Sequence, residues 1–296
     1  MEVKFLGQSL KNPLMGASGC YGYGVEFSRF YDPSILGAIC SKGLTLNPHG
    51  GNEGIRIWET PSGVMNSIGL ENPGVEAFLQ EKLPQMRALD TTIVVNLGGH
   101  SEEQYEEGAR LLNEGDLDIL ELNISCPNLK EGGMAFGSTA KKAAEMTERV
   151  KKITRFPLMV KLSPNGEDVA EVARAVEAAG ADAVSLVNTF QAMAIDVRAK
   201  KPVFNNLYAG LSGPAIFPIA LRMVHQVARA VQIPVVGIGG IQSAEEVIAM
   251  ILAGATAVEV GTQNLSDPGA IPKILRDLEA YLEEEQCSWE DLRGLI

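Results

Sequence analysis

The chain has 296 residues, with 37 Asp and Glu against 25 Lys and Arg, a formal net charge of −12 at pH 7. Apolar residues make up 46% and charged residues 21%. A chain of this length buries roughly 75% of its unfolded surface, so it needs no disulfide or metal staple, and its acidic balance argues against a nucleic-acid surface.

In chain order the sequence predicts strands at Asn12–Ser18, Gly37–Leu46, Thr92–Gly98, Asp118–Ser125, Leu158–Ser163, Ala183–Asn188, Pro234–Gly239 and Ala257–Thr262. Several are almost continuously apolar (TIVVNL, PLMVKL, PVVGIG), the pattern of parallel strands covered on both faces. Amphipathic helices are predicted at Ser101–Asn113, Thr139–Thr154, Gly166–Ala179, Phe217–Val231, Ser243–Leu252 and Asp267–Glu284. Ser243 followed by Glu245 and Glu246 marks a helix start, and Gly180 and Gly254 follow helix ends. Alternation of this kind predicts an α/β fold, a closed (β/α)8 TIM barrel forming a single domain over residues 1–296. An open doubly wound sheet is the competing arrangement. Long insertions follow strand 2 (47–73), strand 4 (127–138) and strand 6 (189–214). All leave the strands' C-terminal ends, where barrel enzymes build their sites.

The run Val247–Val258 is too short for a bilayer span of about 20 residues and is expected as a buried helix and strand. MEVKFLGQSLKNP has no apolar signal core, and a cytoplasmic location is expected. Cys20, Cys40, Cys126 and Cys287 are dispersed, without a CxxC, so no metal site is expected. No GxGxxG follows a strand, which leaves nicotinamide dinucleotide binding without support.

The residues that point to chemistry gather at strand ends. Gly239-Gly240 and Gly261-Thr262 end the last two strands, the usual phosphate position of a barrel, although glycine also simply makes tight turns. Lys42 and Lys161 end apolar strands and need partners. Glu121 is one candidate, and an anionic ligand is the other. Cys126 lies just past strand 4, and Pro127 confines it to an extended backbone. Cys40 and Cys287 read as small packing residues, and His225 as a structural helix residue. Asn66, Asn96, Asn123, Asn128 and Asn188 recur at the same rim and suit a flat heterocycle of alternating N–H and C=O groups. The alternative is ordinary turn chemistry.

At these residues the sequence resembles class 1 dihydroorotate dehydrogenases, in particular the class 1B catalytic subunit. The resemblance runs through NPLMGASGCYGYG, SKGLTLNPHGGN, NSIGLENPG, NISCPN, the strand-5 lysine, VNT, LSGPAI and the two glycine pairs. It implies oxidation of (S)-dihydroorotate to orotate in pyrimidine synthesis, with FMN as cofactor. It implies FMN contacts at Ala17, Ser18, Lys42, Gly43, Asn96, Asn123, Lys161, Val187, Gly213, Gly239, Gly240, Gly261 and Thr262. Orotate contacts are implied at Lys42, Asn66, Ser67, Ile68, Gly69, Leu70, Asn123, Asn128, Asn188 and Thr189. Cys126 is implied as the base for the C5 proton, with the C6 hydride passing to flavin N5. Lys161 is implied at the flavin N1–O2 edge, and Glu131–Gly137 as a lid. The resemblance further implies a homodimer associated with a subunit carrying FAD and a 2Fe–2S cluster, which passes electrons to NAD. Class 1A relatives instead use fumarate as homodimers. A Schiff-base aldolase using Lys161 is the non-redox alternative, and it gives Cys126 and the asparagines no role. A flavin-dependent tRNA-reducing barrel fits poorly with the −12 charge.

Overall fold

The computed structural model describes residues 1–125 and 136–296. Eight parallel strands, Leu14–Gly16, Ala38–Cys40, Thr92–Leu97, Ile119–Asn123, Leu158–Lys161, Ala183–Leu186, Val235–Ile238 and Ala257–Val260, pair in sequence order and close into a barrel, the last against the first. Each strand falls inside one predicted from the sequence, so the closed TIM barrel replaces the open-sheet alternative. All but one of these strands' residues are buried, which is why they read as unbroken apolar runs rather than alternating ones.

Helices Glu102–Leu112, Ala140–Lys151, Val169–Ala178, Phe217–Ala228, Ala244–Leu252 and Ala270–Glu284 form the outer layer. Several begin where a side chain satisfies the first free N–H groups. Ser101, Thr139 and Asp168 each accept from the backbone two or three residues on, and Ser243 forms a reciprocal capping box with Glu246. Each buries one apolar stripe, for example Ala220, Met223, Val224 and Val227. A further helical stretch, Val75–Ala77 through Leu83–Arg87, lies between the second and third strands in the chain, where the sequence predicts no helix. Pro84 lacks an N–H and interrupts the periodicity there, and a widened turn, Phe78–Lys82, precedes it. After strand 1 only short 3₁₀ turns occur, at Val25–Arg29 and Pro33–Ile35. No helix of the described residues is long and apolar enough to cross a membrane.

Regular pairing stops sooner than the apolar runs suggest. The predicted second strand extends to Leu46, yet its regular part ends at Cys40. Ser41 and Leu44 still donate to the Val94 and Asn96 carbonyls at 2.9 Å each, so this segment follows strand 3 while turning outward. The segments after strands 2 and 6 meet above the barrel. Ile57–Thr60, Gly63–Asn66, Tyr208–Ser212 and Phe190–Met193 form a four-stranded antiparallel sheet. Met65, Val203, Phe204 and Ala209 make a small separate core there. This sheet is a roof over the C-terminal mouth, built from segments more than a hundred residues apart in the chain.

Candidate active site

The floor of the mouth is a buried polar cluster inside the barrel. Lys161 ends strand 5, and its Nζ lies 3.3 Å from Glu259 on strand 8 and 3.8 Å from Glu121 on strand 4. Both carboxyl groups are fully buried, and the Lys161 side chain is 6% exposed. Glu121 also accepts from the Ser185 hydroxyl at 2.6 Å, the Cys40 thiol at 3.3 Å and the Asn96 amide. Cys40 is therefore a hydrogen-bonding member of this cluster and not only a packing residue. Burial alone disfavours the lysine charge, but Glu121 and Glu259 outweigh it and hold Lys161 above the ordinary lysine range. Burial likewise opposes ionisation of Glu121, yet Lys161, Ser185 and Asn96 hold its pKa below the usual carboxylate value. Cys40, Glu121 and Glu259 offer ligand atoms within 4.8 Å of one another, a spacing that would suit a cation. The Lys161 ammonium already serves as that cation, so the cluster reads as an ion-pair network and not as a metal centre.

From this floor a line of amides climbs to the rim. Asn96 accepts from the Asn123 amide at 3.2 Å, and Asn123 Oδ1 accepts from the Ser125 N–H and hydroxyl at 3.2 and 3.0 Å. The Asn188 amide donates to the Ser125 hydroxyl oxygen at 2.8 Å, and Tyr105 donates to the Asn123 carbonyl at 2.7 Å. The strand-end asparagines thus act as a connected framework, which turn chemistry would not produce. They also anchor the backbone at Ser125, the residue before Cys126.

Above them lies one cleft, with about 1220 Å³ of empty space counted out to its open mouth. Ala17, Ser18, Lys42, Gly43, Asn123, Lys161, Val187, Gly239, Gly240, Gly261 and Thr262 line it. So do Asn66, Ile68, Gly69, Leu70, Asn188 and Thr189. Three expected contacts stand behind the wall. Asn96 is buried in the floor network, Ser67 is occupied by the Asn52 and Asn206 amides, and Gly213 backs Gly240. Cys126, Asn128 and most of the expected lid lie outside the described residues.

Two of the cleft glycines, Gly240 and Gly43, are required by space. Gly240 has φ +75°, and an added Cβ would lie 2.8 Å from the Phe217 backbone nitrogen. A Cβ at Gly43 would meet Asn96 Oδ1 at 2.8 Å and disturb the amide line. The cleft also has walls that the sequence did not signal. Ile57, Val64 and Ser212 enter from the roof, where Val64 pairs with Ser212, and Thr262 donates to the Ser212 hydroxyl oxygen at 2.9 Å. Cys20 lines the cleft from the turn after strand 1, and burial pushes its thiol pKa up. Its place just past a strand end in GASGCYGYG was the available signal.

The donor set therefore offers a fixed cation on the floor, a second lysine at the side, glycine backbone at strands 7 and 8, and carboxamides opposite. That suits a phosphorylated flat ring system beside a small polar acid. The dihydroorotate dehydrogenase family model matches residues 1–282. The protein from Petrotoga mobilis named dihydroorotate dehydrogenase B (NAD(+)), catalytic subunit, is 49% identical over the whole chain and 99% of its own length. Proteins of the same name from Alkaliphilus oremlandii and Geotalea uraniireducens are 49% and 50% identical, each over the whole chain and 97% of their own length.

Proposed function

The chain belongs to the dihydroorotate dehydrogenase family, and from that premise we propose that it oxidises dihydroorotate to orotate in pyrimidine biosynthesis, using FMN and acting as the catalytic subunit of an NAD-linked enzyme. The observation that carries this reading is convergence. Strand-end residues from all around the barrel, implied one by one as cofactor or substrate contacts, line a single cleft whose floor is a buried lysine. The same reading places the activity in the cytoplasm.

The cleft fits FMN by its donor set. Gly239, Gly240, Gly261 and Thr262 would hold the phosphate, and Lys161, Lys42 and Asn123 the ring edge. Bound flavin supplies the acceptor for the substrate's C6 hydride. The chain supplies everything else. Cys126 Sγ takes the C5 proton, which the adjacent carbonyl acidifies, and Pro127 limits the directions from which the thiol can approach. Ser125, clamped by Asn123 and Asn188, fixes the backbone from which Cys126 emerges. Asn66, Asn123 and Asn188 present carboxamides to the amide and carbonyl groups of the substrate ring, and Lys42 meets its carboxylate. Lys161 holds a permanent positive charge where negative charge accumulates during the reaction.

A second subunit bearing FAD and a 2Fe–2S cluster would carry the electrons onward to NAD, for which this sequence itself has neither a cysteine cluster nor a dinucleotide fingerprint. Support for a partner comes from the relatives' designation as catalytic subunits and from exposed apolar residues on and beside the roof, Trp58, Met193, Ile195 and Tyr208 among them. A homodimer of this chain forms the centre of that assembly. The test is anaerobic addition of dihydroorotate to the FMN-loaded protein. The yellow colour should bleach and orotate should form in equal amount; retained colour overturns the reading. Re-oxidation by NAD only after addition of the partner supports the NAD-linked assignment. Re-oxidation of the isolated chain by fumarate overturns that part.

A further inference from the structure

Inside the barrel two carboxyl groups face one ammonium. If both were ionised, the cluster would hold one uncompensated negative charge between fully buried carboxyl groups, which is costly. A single proton removes that cost, and the hydrogen bonds indicate where it resides. The Glu121 oxygens receive Ser185, Asn96 and Cys40 in addition to Lys161. These donors need lone pairs, so they favour the carboxylate form. Among the described residues Glu259 accepts from Lys161 alone, its buried Oε1 receives no donor, and its carboxyl group lies within hydrogen-bond reach of the Glu121 carboxylate. An ionised carboxylate with an unsatisfied buried oxygen is the less stable choice.

We propose that Glu259 is a positioning residue that stands as a neutral acid beside Glu121, so that Lys161 is balanced by one carboxylate and keeps its ammonium fixed at the floor of the cleft. Burial first, and then the Glu121 carboxylate, push Glu259 up to about 8. The ionisable groups that face it are Lys161, Glu121 and Cys40 across the barrel and Cys20 from the turn after strand 1. Its ladder neighbours are Ile238 on strand 7 and Met15 on strand 1, which do not titrate. Losing the proton would place one net negative charge beneath the cleft and weaken its hold on an anionic cofactor. The proton's location rests on the barrel interior alone; only this last consequence rests on the flavin reading.

The experiment uses the full chain as wild type, Glu259→Gln and Glu121→Gln. Infrared spectra at pH 6.5 should show a buried protonated carboxyl in the wild type that is absent in Glu259→Gln. The sign of the stability effect follows from linkage. Glu259 keeps its proton in the folded state above the unfolded value of 4.5, so wild-type stability falls as pH rises toward about 8. Glu259→Gln cannot ionise. Its stability relative to wild type should therefore grow by up to about tenfold in the unfolding equilibrium per pH unit between about 5 and 8, then level off. Glu121→Gln, which sets a carboxamide against three donors, should be the less stable of the two variants at pH 6.5. FMN affinity, measured by fluorescence quenching, should fall about tenfold in the wild type between pH 6.5 and 9.5 and stay level in Glu259→Gln. An acid band that survives in Glu259→Gln overturns the proposal, as do parallel stability profiles for that variant and wild type. So does a Glu121→Gln variant that is tolerated better than Glu259→Gln. A wild type that binds no FMN at any pH strikes the flavin reading instead and leaves the infrared and stability results to decide where the proton is.

Discussion

The floor and the roof of the cleft are built on opposite principles. The floor consists of side chains on barrel strands, buried and cross-linked by hydrogen bonds and ion pairs, so that Lys161, Glu121 and Asn96 have no freedom to move independently. The roof is an antiparallel sheet of four short strands with its own small core, and it exposes apolar side chains to the outside. Charge is placed where geometry is rigid and water is excluded, because a fixed cation acts most strongly there. The roof has its own small core, and the partner contact proposed above falls on its outer side.

The largest expected effect belongs to the proposed base. Cys126→Ser should slow flavin reduction by dihydroorotate by about 10²- to 10⁴-fold at neutral pH, with orotate affinity retained. In the wild type that rate should rise with pH until the thiol ionises, near the reference value of about 8.5. Stopped-flow reduction across pH, with orotate titrations, measures both, and full-speed reduction in the serine variant removes the base assignment.

Next is the floor itself. Lys161→Met should cost about 3–5 kcal/mol of stability at pH 8, because it strands two carboxyl groups in the interior. With the ammonium gone, burial favours their neutral forms, so the loss should shrink as pH falls toward 5. Denaturant unfolding at both pH values decides this. An equal loss at both would mean that the carboxyls are not what the lysine balances.

A smaller change tests the wall between the regions. Gly240→Ala places a Cβ against the Phe217 backbone at φ +75° and should cost about 1–3 kcal/mol, with weaker FMN retention on gel filtration. The smallest effect belongs to the outer roof. Met193→Ser with Ile195→Ser should change stability by about 0.5 kcal/mol or less and leave dihydroorotate-dependent bleaching intact, while NAD reduction with the partner subunit declines. A matching decline in bleaching would show that floor and roof are not separable.

The eight barrel strands were legible because each is a short apolar run of parallel-strand type, bounded by Pro, Gly or a polar turn. The Lys161 partner was half legible. Glu121 and Glu259 are both acids in apolar strands, and the sequence marks only Glu121 as a candidate partner, since nothing local shows that the last strand faces the fifth. The helical stretch over Val75–Arg87 was hidden by Pro84. The roof was not legible at all. Strands of a few residues carry almost no periodic signal, and their pairing joins Asn66 to Gly210 across the intervening chain.

The amino-acid sequence alone determined the order and type of the barrel elements and the family resemblance, because apolar periodicity and contiguous motifs are local properties. Tertiary structure decided which strand ends share a cleft, that Lys161 faces two carboxyls, and that Val64 and Ser212 pair in the roof. Those are contacts between distant segments, and barrel closure, not any local preference, brings them together.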